Sequence, residues 1–354
     1  MKSTKTAPAP KPAEIDTDLL EPKRLRRFRM DRRFLPVTAT LATLVLMLVI
    51  GEIRYGAGAG RSNFISMKVF SNLLVDNSYL LVLAVGMTFV ILTGGIDLSV
   101  GAVVALVGLV IAKMLMAGVS LPIVLLVAVL IGTACGLLIG TLVQVFDIQP
   151  FIASLAVMFL ARGLANVVSD QSLPINNEGF ASLASWSITF GEGKGSWKIN
   201  GSMIIAFVVL ALGFYILHYT RFGRTVYGLG AGDDAQAVKL MGLNAGRATV
   251  WVYVISGTCA GIAGILFALY TKSGFNLTGI GMELDAIAAV VIGGTLLSGG
   301  YGFVLGSAAG VMVYGLIQVI IAREGLDSWW TKVFIGAVLL AFVILQKAIT
   351  MKRK

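Results

Sequence analysis

The octet GGIDLSVG (94–101) sets an aspartate and a serine between two apolar stretches, Leu80–Leu92 and Ala102–Ala112. A carboxylate at the centre of a bilayer costs about 2.5–3.5 kcal/mol on insertion scales, so Asp97 is a candidate functional group. Gly94 and Gly95 let a helix unwind, which membrane depth tolerates only where protein or a water-filled cavity meets the freed backbone. Two roles fit Asp97: a group bordering a translocation path, or an N-cap, with Ser99 as the other choice, starting the next helix at the membrane edge. Further polar side chains near apolar stretches are Asp76, Asn77, Gln144, Asn166, Asn276, Glu283, Asp285 and Gln318. Of these, Asn77, Asn276, Glu283 and Asp285 join Asp97 and Ser99 as candidate path residues. Glu283 and Asp285 also open MELDAIAAVV, where acids suit the positive end of a helix, so capping stands beside substrate contact for them.

Catalytic chemistry finds no matching set of residues. The single histidine, His218, ends an apolar stretch beside Arg221 and reads as an interfacial residue. Cys135 and Cys259 lie inside apolar runs, which argues against a structural disulfide, and one histidine with two such cysteines gives no metal site. No G-x-x-x-x-G-K-[ST] occurs, so ATP is not bound here through a P-loop. No catalytic residue, metal or cofactor is expected.

The elements that must position the polar groups are membrane spans. Of 354 residues 57% are hydrophobic and 13% charged, where soluble domains carry about 25% charged residues. Apolar segments fall at roughly 37–53, 71–93, 98–117, 121–143, 150–169, 201–219, 249–271, 284–299, 303–321 and 328–347. The fold expected is therefore all-α, a polytopic membrane bundle of about ten transmembrane helices with broken Gly-rich segments. Segment 284–302 is the one most open to a break. The net charge of +10 is not a nucleic-acid signature, because seven of the 28 basic residues cluster in KRLRRFRMDRR (23–33), just before the first apolar run. That is a positive-inside signal, and ten spans put both termini in the cytoplasm, with 18 of the 28 Lys and Arg on that side. Residues 1–36 read as a basic cytoplasmic tail, disordered over its Pro- and Ala-rich first part, and 37–350 as the membrane domain.

Two loops are long enough to hold structure. Loop 170–200, polar and bearing Trp186 and Trp197, is expected outside as a cap. Loop 220–248 is expected inside, with a short helix that Asp233 and Asp234 would cap and Gly242 would stop. Ala235, Val238 and Met241 give that helix one small apolar face, which needs something to pack against. The opening octet also has an echo, GGTLLSGG (293–300), agreeing at five of eight positions. Transporter halves often carry such paired Gly-interrupted segments. Both octets fall on the cytoplasmic side here, so a parallel repeat, a span count off by one, and coincidence all remain open.

Taken together, VGMTFVILTGGIDLSVGAVVAL (85–106), GLGAGDDAQAVKLMGLN (228–244) and MELDAIAAVVIGGTLLSGG (282–300) resemble the permease subunits of bacterial sugar ABC importers, in the ribose, xylose and galactose branch. The resemblance covers about 37–350. SLPINN (172–177) and SWWTKVFIGAVLL (328–340) look closest to a permease of the galactofuranose importer. It implies an inner-membrane, multi-pass subunit paired with an identical or homologous permease, a cytoplasmic ABC ATPase and a periplasmic sugar-binding protein. It makes 233–242 the coupling helix, so Ala235, Gln236, Ala237, Val238, Met241, Gly242 and Leu243 become the ATPase contacts. Many relatives begin this loop Glu-Ala-Ala; Ala235-Gln236-Ala237 lacks that acid. The competing class is a secondary transporter in which Asp97 carries a proton or ion, but such a carrier needs no docking helix.

Overall fold

A computed structural model describes residues 35–56, 64–230, 244–327 and 329–351. The tail 1–34 and the expected coupling helix at 233–242 lie outside the described residues.

Thirteen α-helices order the described chain: α1 (Leu35–Tyr55), α2 (Met67–Asp76), α3 (Ser78–Leu92), α4 (Val100–Met116), α5 (Leu121–Val145), α6 (Pro150–Val168), α7 (Glu178–Ser185), α8 (Gly201–Tyr219), α9 (Arg221–Leu229), α10 (Ala245–Thr271), α11 (Met282–Ile292), α12 (Val304–Arg323) and α13 (Trp329–Met351). Their starts carry the expected chemistry. Asn177, Asn200 and Asn244 accept from the backbone N–H three residues on, at 3.0, 2.9 and 3.1 Å, and Thr220 does the same for Gly223 at 3.2 Å. Pro122 and Pro150 stand in the first turns of α5 and α6, where a missing N–H costs nothing.

Burial sorts the helices into a core and a coat. α3 is apolar on every side, and all but one of its residues are buried, as the rule for all-round apolar helices requires. It packs against α10 in the centre, α4 packs against the same helix, and α11 and α12 also lie against α3. α1, α5, α8 and α13 turn large apolar side chains outward, among them Leu46, Leu126 and Leu340, as hydrocarbon would require. α5 and α10 touch backbone to backbone: a Cβ at Gly132 would lie 2.2 Å from the Gly257 carbonyl oxygen, and one at Gly136 2.2 Å from that of Tyr253. Small residues spaced by four let membrane helices approach this closely.

All ten apolar segments form helices, but not ten full spans. Among the described residues seven helices are long and apolar enough to cross, and α2 with α3 gives an eighth if the two count as one span across their 62° bend at Asn77. α4 has 17 residues and α11 only 11. At 1.5 Å per residue α11 reaches about 16 Å, half the hydrocarbon thickness. The rest of its path is residues 272–281, which run without helix beside α4, with Gly274 against Gly108 and Gly279 against Gly101. The segment flagged as breakable is therefore interrupted on both sides of α11, since 293–303 is also irregular.

Loop 170–200 is folded. β1 (Leu173–Pro174) pairs antiparallel with β4 (Ser273–Gly274) at the end of α10. β2 (Ser187–Phe190) and β3 (Trp197–Asn200) form a hairpin in which Trp197 stacks on Phe190 at 4.5 Å. Ser71 of α2 accepts from the Lys198 backbone N–H at 3.2 Å and donates to the Lys198 carbonyl, which pins the hairpin to the bundle.

Candidate functional site

The break after α3 follows from its sequence. Thr93 ends the helix, Gly94 takes φ +77°, and the N–H groups of Gly94 and Gly95 return to the carbonyls of Ile91 and Val90 at 2.9 and 3.1 Å. This is the Schellman arrangement. α11 ends in the same way: Gly294 has φ +93°, and Gly294 and Thr295 donate to Val291 and Val290 at 2.9 and 3.2 Å. The geometric partner of Gly94 is therefore Gly294, one residue away from the pairing that the letters of the two octets suggest.

The two breaks touch. The Leu92 carbonyl, left free at the end of α3, accepts from Gly300 N–H at 2.9 Å. A Cβ on Gly299 would meet Gly94 N, Gly230 Cα and the Leu92 oxygen, all within 2.9 Å. Gly230, which caps α9 and directly precedes 231–243, would with a Cβ meet the Leu92 oxygen at 1.9 Å. Four glycines thus bring three chain segments into backbone contact, and one of them leads into the expected coupling loop.

Asp97 is fully buried, and three donors meet its carboxylate. Oδ1 accepts from Ser99 N–H at 2.9 Å and from Ser99 Oγ–H at 2.7 Å; Oδ2 accepts from Ser256 Oγ–H of α10 at 2.7 Å. The first two bonds close a turn just before α4, whose N-cap residue Ser99 makes no side-chain capping bond of its own, and the third ties that turn to α10. Ser256 stands about 17 Å along the 27-residue α10, near its middle. Such charge-assisted bonds are the strong ones, and they offset the desolvation of the carboxylate.

A second polar cluster forms around α6. Arg162, inside the apolar run PFIASLAVMFLARGLANVV, donates through Nη1 to the carbonyls of Asn276 and Thr278, at 2.7 and 2.6 Å. These carbonyls belong to the unwound segment 272–281, and a side-chain donor is what unwound backbone at membrane depth requires. Asn276 is buried, and its Nδ2 donates to Asn166 Oδ1 at 2.5 Å while its own Oδ1 has no partner. Glu283 accepts from Gly281 N–H through Oε1 at 3.2 Å, and its Oε2 is buried against Gly101 with no hydrogen-bond partner. Arg162 escaped the sequence reading, although a lone arginine in an apolar run is itself the signal.

The remaining candidates sit apart. Asn77 caps the bend, with Nδ2 donating to Leu73 O at 3.0 Å, and borders an apolar cavity of about 250 Å³ with Leu74, Phe207, Leu210 and Met312. Asp285 pairs with Lys332 of α13, at 2.6 and 2.7 Å from Nζ to its two oxygens. Ala235, Gln236, Ala237, Val238, Met241, Gly242 and Leu243 lie outside the described residues.

This bundle of broken apolar helices, with polar groups held at membrane depth, has the build of a transport permease. The family described as "Branched-chain amino acid transport system / permease component" matches residues 69–343, and the chain belongs to it: it is the permease component of a transport system and not an enzyme. It is 41% identical over 325 residues to the fructose import permease protein FruG of Bifidobacterium longum (strain NCC 2705), covering 91% of this chain and 93% of that one. It is 42% identical over 325 residues to the inner membrane ABC transporter permease protein YjfF of Escherichia coli (strain K12), covering 91% and 94%. With the galactofuranose transporter permease protein YtfT of the same strain it shares 38% identity over 272 residues, 75% of each chain. No solved structure matches it.

Proposed function

We propose that the chain is the membrane-spanning permease of an ATP-driven sugar importer in a bacterial inner membrane. The family and its relatives support this, since the names of the relatives specify fructose and galactofuranose and an ABC transporter of the inner membrane. Fructose and galactofuranose, the sugars in those two names, are the first substrates to test. The structural observation that carries the reading is the outer face of α6. Asn166 is exposed there and Arg162 half-exposed, among Phe159, Leu164 and Val167. Polar groups at that depth belong beside protein or water and not lipid. That face is therefore assigned to a conduit shared with a second permease, identical or homologous.

The other parts follow from the same assignment. The folded cap 170–200 receives the periplasmic binding protein, the coupling loop 220–248 docks the cytoplasmic ATPase, and both termini lie in the cytoplasm. The secondary-transporter alternative gains no support from the family or from Asp97, whose two oxygens are already taken by Ser99 and Ser256. Uptake of radiolabelled sugars into proteoliposomes, with and without ATP and the partner ATPase, tests the assignment. Uptake that needs neither would overturn it.

A further inference from the structure

We infer that Arg162, Asn276 and Glu283 form a way-station for the hydroxyl groups of a neutral sugar, with Arg162 as the residue that holds it in shape. This rests on the reading of the chain as a sugar permease. Arg162 uses only Nη1 on the carbonyls of Asn276 and Thr278, and its other N–H groups donate to no acceptor among the described residues. Asn276 is only 6% exposed, yet its Oδ1 has no partner. Glu283 Oε2, against the first turn of α4, has none either. The Glu283 carboxylate is within electrostatic reach of Arg162 without forming an ion pair.

The cluster therefore holds spare donors on a guanidinium and spare acceptors on an amide and a carboxylate. An unpaired buried acceptor destabilises the state that holds it, and a donor arriving with a passing ligand relieves that cost. Sugar hydroxyls both donate and accept, and they match this mixed set better than a cation or an anion does. A cation would leave the guanidinium unmet, and an anion would be repelled by Glu283. The segment carrying Asn276 is unwound and tied to α6 only by Arg162 and Asn166. Arg162 is thus a positioning residue, because it fixes where Asn276 and Glu283 present their free oxygens.

A purely structural clamp and a way-station part company at Arg162→Lys. An ammonium can reach the two carbonyls but cannot also offer the fork of remaining guanidinium N–H groups. The full chain, with Cys135→Ala and Cys259→Ala, is reconstituted with its ATPase and binding protein, carrying Leu277→Cys as a reporter on the exposed side of the segment. Two quantities are read for wild-type, Arg162→Met and Arg162→Lys backgrounds. One is the labelling rate by an impermeant thiosulfonate. The other is the maximal ATP-dependent uptake of D-fructose, D-ribose and D-galactose at saturating binding protein.

Arg162→Met removes two charge-assisted hydrogen bonds and is expected to change the labelling rate by at least about tenfold, the scale of losing even one of them. Arg162→Lys is expected to restore labelling but to leave maximal uptake at least about tenfold down. Labelling at Ser182→Cys, on the exposed side of α7, stays constant if the bundle is intact. Arg162→Gln, which keeps a donor, replaces the methionine variant if that one does not insert. Unchanged labelling in the methionine variant, or full recovery of uptake with lysine, would overturn the way-station. A wild-type chain that takes up none of the three sugars would overturn the sugar reading itself, while the labelling would still report on the clamp.

Discussion

Gly230→Ala separates two views of the glycine junction because backbone conformation drops out of the comparison. Gly230 has φ −88° and ψ −3°, which alanine adopts freely. If Gly230 only ends α9, alanine gains up to about 1 kcal/mol of helix propensity and the protein is stabilised. In the junction the new Cβ lies 1.9 Å from the Leu92 carbonyl and 2.2 Å from Gly300 N, both backbone atoms. Relieving that contact means moving α9 or the paired breaks by about 1.5 Å, which stretches the Gly300–Leu92 hydrogen bond; overpacking of this kind costs about 1–3 kcal/mol. The steric cost prevails, and the expected outcome is a net loss of about 1–2 kcal/mol. Thermal unfolding of the purified variant in detergent measures it, and uptake relative to ATPase activity shows whether the junction transmits movement from the loop that follows Gly230. A variant as stable as wild type, with normal uptake per ATP, would refute the close packing and the transmission with it.

Three further outcomes follow from individual contacts. Asp97→Asn keeps the shape and an acceptor, whereas Asp97→Leu strands the three donors from Ser99 and Ser256, each at about 1–3 kcal/mol; the leucine variant should be much the less stable in a detergent melt, and equal stabilities would remove the tie between α4 and α10. Lys332→Asp should loosen α13 by opposing Asp285, and the swap Asp285→Lys with Lys332→Asp should recover most of the lost stability; no recovery would mean that the pair contributes by position only. Ser182→Cys, on the exposed side of α7, should react with an impermeant reagent added outside intact cells, and labelling only after permeabilisation would invert the proposed topology.

Much of the fold was legible because each signal was local. Every apolar stretch became a helix, the caps fell where Asn, Thr and Pro stood, and the glycine pairs at 94–95 and 293–294 ended helices. What escaped depended on distance along the chain. Asp97 finds Ser256 across 159 residues and Arg162 finds Asn276 across 114, and no periodicity encodes such meetings. The length of α11 escaped for another reason. Residues 284–299 are apolar enough for a span, but the positive φ angles at Gly279, Gly281 and Gly294 confine the helix to 11 residues. The one-residue offset between the two breaks has the same origin, because helix geometry and not letter identity decides which glycine takes the left-handed position.

The most direct measurement is ATP-dependent uptake by the reconstituted assembly. The permease, its ATPase and its binding protein are placed in proteoliposomes, and radiolabelled D-fructose, D-galactofuranose, D-ribose and D-galactose are offered in turn. At least one should accumulate against its gradient only when ATP, the ATPase and the binding protein are all present, with no dependence on a proton or sodium gradient. Accumulation driven by an ion gradient without the ATPase, or no uptake of any of these sugars by the complete assembly, would contradict the assignment.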